Sequence, residues 1–174
     1  QGIAELGDRL GPILWQFMAT KKFDYDDFAS FMDLLPEKIG DLPAHHVIEV
    51  RNATFADPKF IGLCRERNVT ICVSENENYP IIPDITADLV YLRLISASDE
   101  IETGYEAKDL DLWAGRFKEY AQGQVPGDLA PVDRTGPPDG ARDVYAFVIH
   151  EGKVRAPAAA MEFIKRVEPG FVPG

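Results

Sequence analysis

The sequence predicts an α/β fold in which parallel strands are covered by helices. Five apolar, β-rich runs recur, at Ile13 to Phe17, Val47 to Arg51, Val69 to Glu75, Leu89 to Leu94 and Tyr145 to His150. Four of them are followed by segments with helical spacing, the alternation expected when crossovers return the chain to a parallel strand. At 174 residues and 45% hydrophobic composition, the chain can bury a core of its own, and one domain over residues 1–174 is expected.

Gln1 to Leu10 is a polar, helix-like stretch ahead of the first strand. Phe28, Phe31, Met32 and Leu35 fall at i, i+3, i+4 and i+7, which predicts a helix with one apolar stripe, and Gly40 is placed just past its end. Asp57 before Pro58 reads as an N-cap with proline at the first helical position, opening a helix through Arg67. Asn76 to Asp88 carries Pro80 and Pro83 and cannot hold a regular helix, yet it reaches the dozen or so residues a parallel return needs. Leu110, Trp113, Phe117 and Tyr120 stripe a third helix. Residues 121–143 hold Pro126, Pro131, Pro137 and Pro138 with four glycines, and predict a Pro/Gly-rich surface insertion. Because it joins a helix to the next strand, it belongs at the end opposite the strands' carboxyl termini. Pro157 opens a fourth helix containing Met161, Phe163 and Ile164.

Composition excludes several function classes. The formal charge of -11, from 29 acidic against 18 basic residues, would repel a polyanion, and no basic run offsets it, so nucleic acid is not an expected partner. No stretch approaches the roughly 18 consecutive apolar residues of a membrane helix, and the N-terminus lacks a signal-peptide layout. A cytoplasmic protein without membrane contact is expected. Cys64 and Cys72 lie in apolar patterns and read as small buried hydrophobes, not as a disulfide framework. There is no HExxH, paired Cys-x-x-Cys, GxGxxG, Walker loop or GxSxG, so no metal and no cofactor are implied.

Several of these runs are similar to the motifs of one family. Leu10-Gly11-Pro12-Ile13-Leu14-Trp15-Gln16-Phe17, with Phe23 after it, resembles LGPxLxQxPPxF, and Val47-Ile48-Glu49-Val50-Arg51-Asn52 resembles a VEVRH strand. Thr86 to Leu94 resembles TADFVYxRLHG, and Tyr105 with Leu110 to Ala114 resembles YxxxxLxxWA. In that order they resemble the YecE-like family, the domain of unknown function 72. The resemblance implies a partial TIM-like (β/α) barrel whose five parallel strands correspond to the fourth to eighth of eight. The motifs of the first three, GxSGWxY and EINxTFY, are absent from these residues, so a C-terminal portion is expected, in keeping with an opening Gln1.

Strand alternation then places the chemistry. Glu49 and Arg51 share a side with Val47, and a charged pair should turn from the apolar helices toward the barrel interior. The same argument puts Arg93 with Tyr91, Glu75 with Ile71 and Val73, and Gln16 with Leu14 on inner sides. In a barrel the carboxyl ends of the strands are where catalytic residues sit. Two arginines there suggest a carboxylate or phosphate ligand, because guanidinium is always charged and offers a fixed fork of donors. Glu49 or Glu75 would serve as general base. His150, at the end of the last strand, is a further binding candidate. The loop from Ser96 to Asp109 holds Asp99, Glu100, Glu102 and Tyr105, of which the resemblance singles out Tyr105. His45 and His46 precede their strand and are discounted as ligands.

Three functional expectations follow. The first is an enzyme acting on a small anionic substrate, with Arg51 and Arg93 as clamp. The second is a non-catalytic binding or scaffold protein, since Ile95 and Ile149-His150 stand where the family pattern has His and an Asn-Asn pair. The third, hydrolysis of nucleic-acid phosphodiesters, must overcome the acidic charge.

Overall fold

The computed structural model describes residues 2–76, 78–136, 139–149 and 154–171. A 3-10 segment, Ile3–Arg9, precedes β1 (Ile13–Gln16), and Gly7 interrupts it with a φ of 55°, so the polar opening is not one continuous helix. α1 (Tyr25–Asp33) begins where the Asp24 side chain accepts from the Asp27 N–H at 3.0 Å, and it buries Phe28 and Met32. Gly40 does not stop this helix. It supplies a φ of 61° at the turn between β2 (Lys38–Ile39) and β3 (Leu42–Pro43), a small antiparallel hairpin whose tight turn favours glycine.

β4 (His46–Glu49) is followed by α2 (Pro58–Glu66), where Asp57 accepts from the Lys59 N–H at 2.8 Å and Pro58 takes the first helical position. Then come β5 (Thr70–Glu75), β6 (Leu89–Leu94), α3 (Ala107–Ala121), β7 (Asp143–Val148) and α4 (Ala156–Val167). The connection between β5 and β6 is irregular throughout its described residues. The main sheet has the order β1-β4-β5-β6-β7, every pair parallel. Strands that neighbour one another in chain order, with helices on one side, form the arc of a partial TIM-like barrel.

The two faces of that arc are packed differently. On the helix side Ile48, Val50 and Ile71 cluster with Phe28, Phe55 and Phe60, while Val73, Leu92 and Leu94 cluster with Trp113, Phe117 and Phe163. Burial of this kind stabilises by roughly 1.5–3 kcal/mol per large side chain. The inner side carries a smaller cluster of Val47, Cys72, Leu89 and Tyr91, with Leu14 against it and Phe147 stacked on Tyr91 at 4.8 Å.

The described residues of segment 121–143 lie at the amino ends of the strands and are tied there. Asp84, 3% exposed, accepts from the backbone N–H groups of Val132 and Asp133 at 2.8 Å each, and Arg65 pairs with Asp133. Gly123 approaches Gly140 so closely that a Cβ would lie 1.9 Å from the Gly140 oxygen, a contact only glycine permits. Pro137 and Pro138 lie outside the described residues. No helix among the described residues is long and apolar enough to cross a membrane.

Candidate functional site

Glu49 ends β4 on the inner side of the arc and is 1% exposed. Its position there follows from chain parity, since Val47 two residues earlier belongs to the inner cluster. Four hydrogen bonds converge on its carboxylate. Oε1 accepts from Arg51 Nε at 3.2 Å, from Arg51 Nη2 at 3.1 Å and from Gln16 Nε2 at 3.2 Å, while Oε2 accepts from Arg93 Nη1. Three strands thus contribute to one cluster at their carboxyl ends: Gln16 from β1, Glu49 with the following Arg51 from β4, and Arg93 from β6.

The two guanidiniums are not sealed. The Arg51 side chain is 29% exposed and that of Arg93 17%. Among the described residues Glu49 is the only hydrogen-bond acceptor of either one, so each keeps spare N–H donors. Tyr79, from the irregular connection after β5, lies under Arg51 with its ring 5.0 Å from the guanidinium carbon, a cation–π contact. Two titratable neighbours share the electrostatic environment. Burial pushes the Cys72 thiol up, with the Glu49 carboxylate adding to it, and burial likewise pushes the Tyr91 phenol up.

Glu75 does not join this cluster, which corrects the expected orientation. β5 pairs with β6 so that Cys72 lies beside Tyr91 and Glu75 beside Leu94, and Ile71, Val73 and Glu75 therefore face the helices. Its carboxylate accepts from Tyr105 Oη and Trp113 Nε1 at 2.7 Å each, and from the Ile95 and Ser96 N–H groups at 3.2 and 3.1 Å. Tyr105, expected at the rim as a binding residue, is 4% exposed behind the sheet and spends its hydroxyl on Glu75. Burial, and then the Glu75 carboxylate, push its phenol well up. The physical reason for both departures is the same. A helix-facing carboxylate is tolerable when enough neutral donors close around it.

His150 lies outside the described residues. His46 is structural: its Nδ1 accepts from Trp15 Nε1 at 3.1 Å and its Nε2 lies 2.8 Å from the Pro36 carbonyl oxygen. No group of three His, Cys, Asp or Glu side chains among the described residues could hold a metal ion. Tyr79, Cys72 and Tyr91 are neighbours of the cluster that sequence reasoning did not select as site residues. Tyr79 sits in a stretch without periodicity, and only the adjacent Pro80 marks its neighbourhood.

Comparison with known proteins bears on the fold. A family profile described as a protein of unknown function, DUF72, matches residues 1–172. No curated protein matches the chain. Among solved structures, a DUF72 family protein from Thermotoga maritima is similar at a TM-score of 0.66 and 18% identity, covering 92% of this chain and 58% of that one. A DUF72 family protein from Enterococcus faecalis is similar at a TM-score of 0.61 and 15% identity, covering 91% and 61%. The chain therefore spans less than two thirds of the length of either, and at these identities the likeness shows shared architecture alone.

Proposed function

Since this chain belongs to the DUF72 family of proteins of unknown function, we propose from its own side chains that it binds a small anion at the carboxyl ends of its strands. Arg51 and Arg93 are the clamp, and Gln16 and Glu49 align them. The observation that carries the reading is the hydrogen-bonded Arg51–Glu49–Arg93 cluster, in which a buried carboxylate fixes two partly exposed guanidiniums that retain unused donors. A guanidinium fork held in place loses little entropy on receiving a carboxylate or phosphate, and that favours binding.

Glu49 acts in this reading as a positioning group. Its two oxygens already accept four hydrogen bonds, about the capacity of a carboxylate. A role as general base requires an incoming anion to take over one guanidinium and free an oxygen. Phosphodiester hydrolysis on nucleic acid finds no support in a chain of charge -11. The two cysteines are free and buried, which favours a reducing, cytoplasmic compartment.

The test is thermal unfolding of the chain in a panel of phosphates and carboxylates at constant ionic strength. At ligand well above its Kd, the midpoint should rise by a few degrees. Arg51→Ala and Arg93→Ala should each abolish the rise. A panel that moves nothing, or moves both variants as it moves the parent, ends the proposal.

A further inference from the structure

The same cluster restricts what the anion can be. Two guanidinium charges against one carboxylate leave Arg51, Arg93 and Glu49 with a single surplus positive charge, and Gln16 adds none. Among the described residues the Cys72 thiol and the Tyr91 phenol lie in its electrostatic environment, and burial pushes both up and keeps them neutral, so neither changes that balance. An arriving anion reaches guanidiniums whose other partner is a carboxylate within hydrogen-bonding distance. It therefore meets attraction from two cations and repulsion from Glu49 at close range, in a setting where water screens poorly.

Resting on the anion-binding reading above, we infer that the site selects a singly charged ligand of the carboxylate class and discriminates against doubly charged phosphate monoesters. One negative charge neutralises the cluster. A second would leave an uncompensated anion beside the buried Glu49, which has no room to turn toward solvent at 1% exposure. Geometry points the same way. The Tyr79 ring covers one face of the Arg51 guanidinium, and the unused N–H donors lie in the guanidinium plane, where a flat carboxylate fits edge to edge. Glu49 occupies the Nε/Nη2 edge of Arg51 through Oε1 alone, which leaves the Nη1 side of the guanidinium for the ligand.

The experiment is a nuclear magnetic resonance titration of the chain at pH 8 and fixed ionic strength, following the Arg51 and Arg93 side-chain N–H signals. Three probes are used: acetate, dimethyl phosphate, which carries one charge, and methyl phosphate, which carries nearly two at this pH. Acetate should bind at least about tenfold more tightly than methyl phosphate. Dimethyl phosphate should also bind more tightly than methyl phosphate, because it differs from it mainly in charge. Glu49→Gln removes the repelling charge and should reverse the order in favour of methyl phosphate. Methyl phosphate binding the parent chain as tightly as acetate overturns the inference while the anion site stands, as does a Glu49→Gln variant that keeps the parent's order. If none of the three probes binds, the anion site itself is lost. Should Glu49→Gln fail to fold, the comparison of probes on the parent chain decides alone.

Discussion

Glu49 and Glu75 end adjacent strands of one sheet, and each carboxylate accepts four hydrogen bonds, yet they do opposite things. Around Glu49 the donors are two guanidiniums and an amide, all on side chains at the inner mouth of the arc. Around Glu75 they are a phenol, an indole and two backbone N–H groups, and no cation among the described residues takes part. The first arrangement holds charged groups that have donors left over. The second consumes every donor it gathers, and so fastens the start of the loop after β6 and the side chains of Tyr105 and Trp113 to the end of β5. A polar strand end in a barrel is therefore not in itself a sign of chemistry. What decides is whether the partners keep unsatisfied capacity on the accessible side.

The widest separation between the two sites should appear in stability. Glu75→Ala strands two side-chain donors on buried residues and two backbone donors, and should cost about 3–4 kcal/mol in urea unfolding at pH 7. Glu49→Ala should cost less, about 2 kcal/mol, because guanidiniums that are 29% and 17% exposed can turn to water. Equal losses, or the reverse order, would break the contrast. Asp84 extends it to the other end of the strands, since it too is a carboxylate satisfied by backbone N–H groups, those of Val132 and Asp133. Asp84→Ala should cost about 2 kcal/mol and speed proteolytic cleavage within residues 121–143. Unchanged cleavage kinetics would mean that the other ties, such as Arg65 to Asp133, suffice to hold the segment.

How far the sequence could be read differs between the same two residues. The strands, their parallel order and the inner placement of Gln16, Glu49, Arg51 and Arg93 follow from apolar runs and from the cost of turning charge toward helices. That last rule failed for Glu75. Thr70 to Ser74 are all buried, so β5 carries no alternation of polarity from which to judge its faces. Parity there is fixed by pairing, with Cys72 beside Tyr91, and pairing is not visible in one sequence. The donors that make an outer Glu75 tolerable come from Ile95, Ser96, Tyr105 and Trp113, between 20 and 38 residues away. Tyr79 was out of reach for a related reason, because an irregular connection has no period to reveal which side chain turns inward.

Tyr105→Phe isolates one of the four bonds to Glu75 and is the smallest of these effects. Loss of a single hydroxyl donor should cost about 1 kcal/mol near neutral pH, since the phenyl ring keeps its packing against Phe163. A second signature lies at alkaline pH. Burial and the Glu75 carboxylate raise the folded-state pKa of Tyr105 above the unfolded value of about 10. Below that unfolded value the native phenol contributes its full stability. As pH climbs toward the folded value, the unfolded chain releases a proton that the native chain retains, and stability is lost. Tyr120, whose hydroxyl donates to the Pro83 carbonyl at 3.1 Å, is raised by burial and contributes a slope of the same sign. Urea midpoints measured from pH 8 to pH 11 should therefore fall with pH in the parent chain and fall less steeply in Tyr105→Phe. An identical slope in the two would mean that the Tyr105 phenol is not enclosed as its bond to Glu75 requires, and the account of Glu75 as a clasp closed by neutral donors would fail with it.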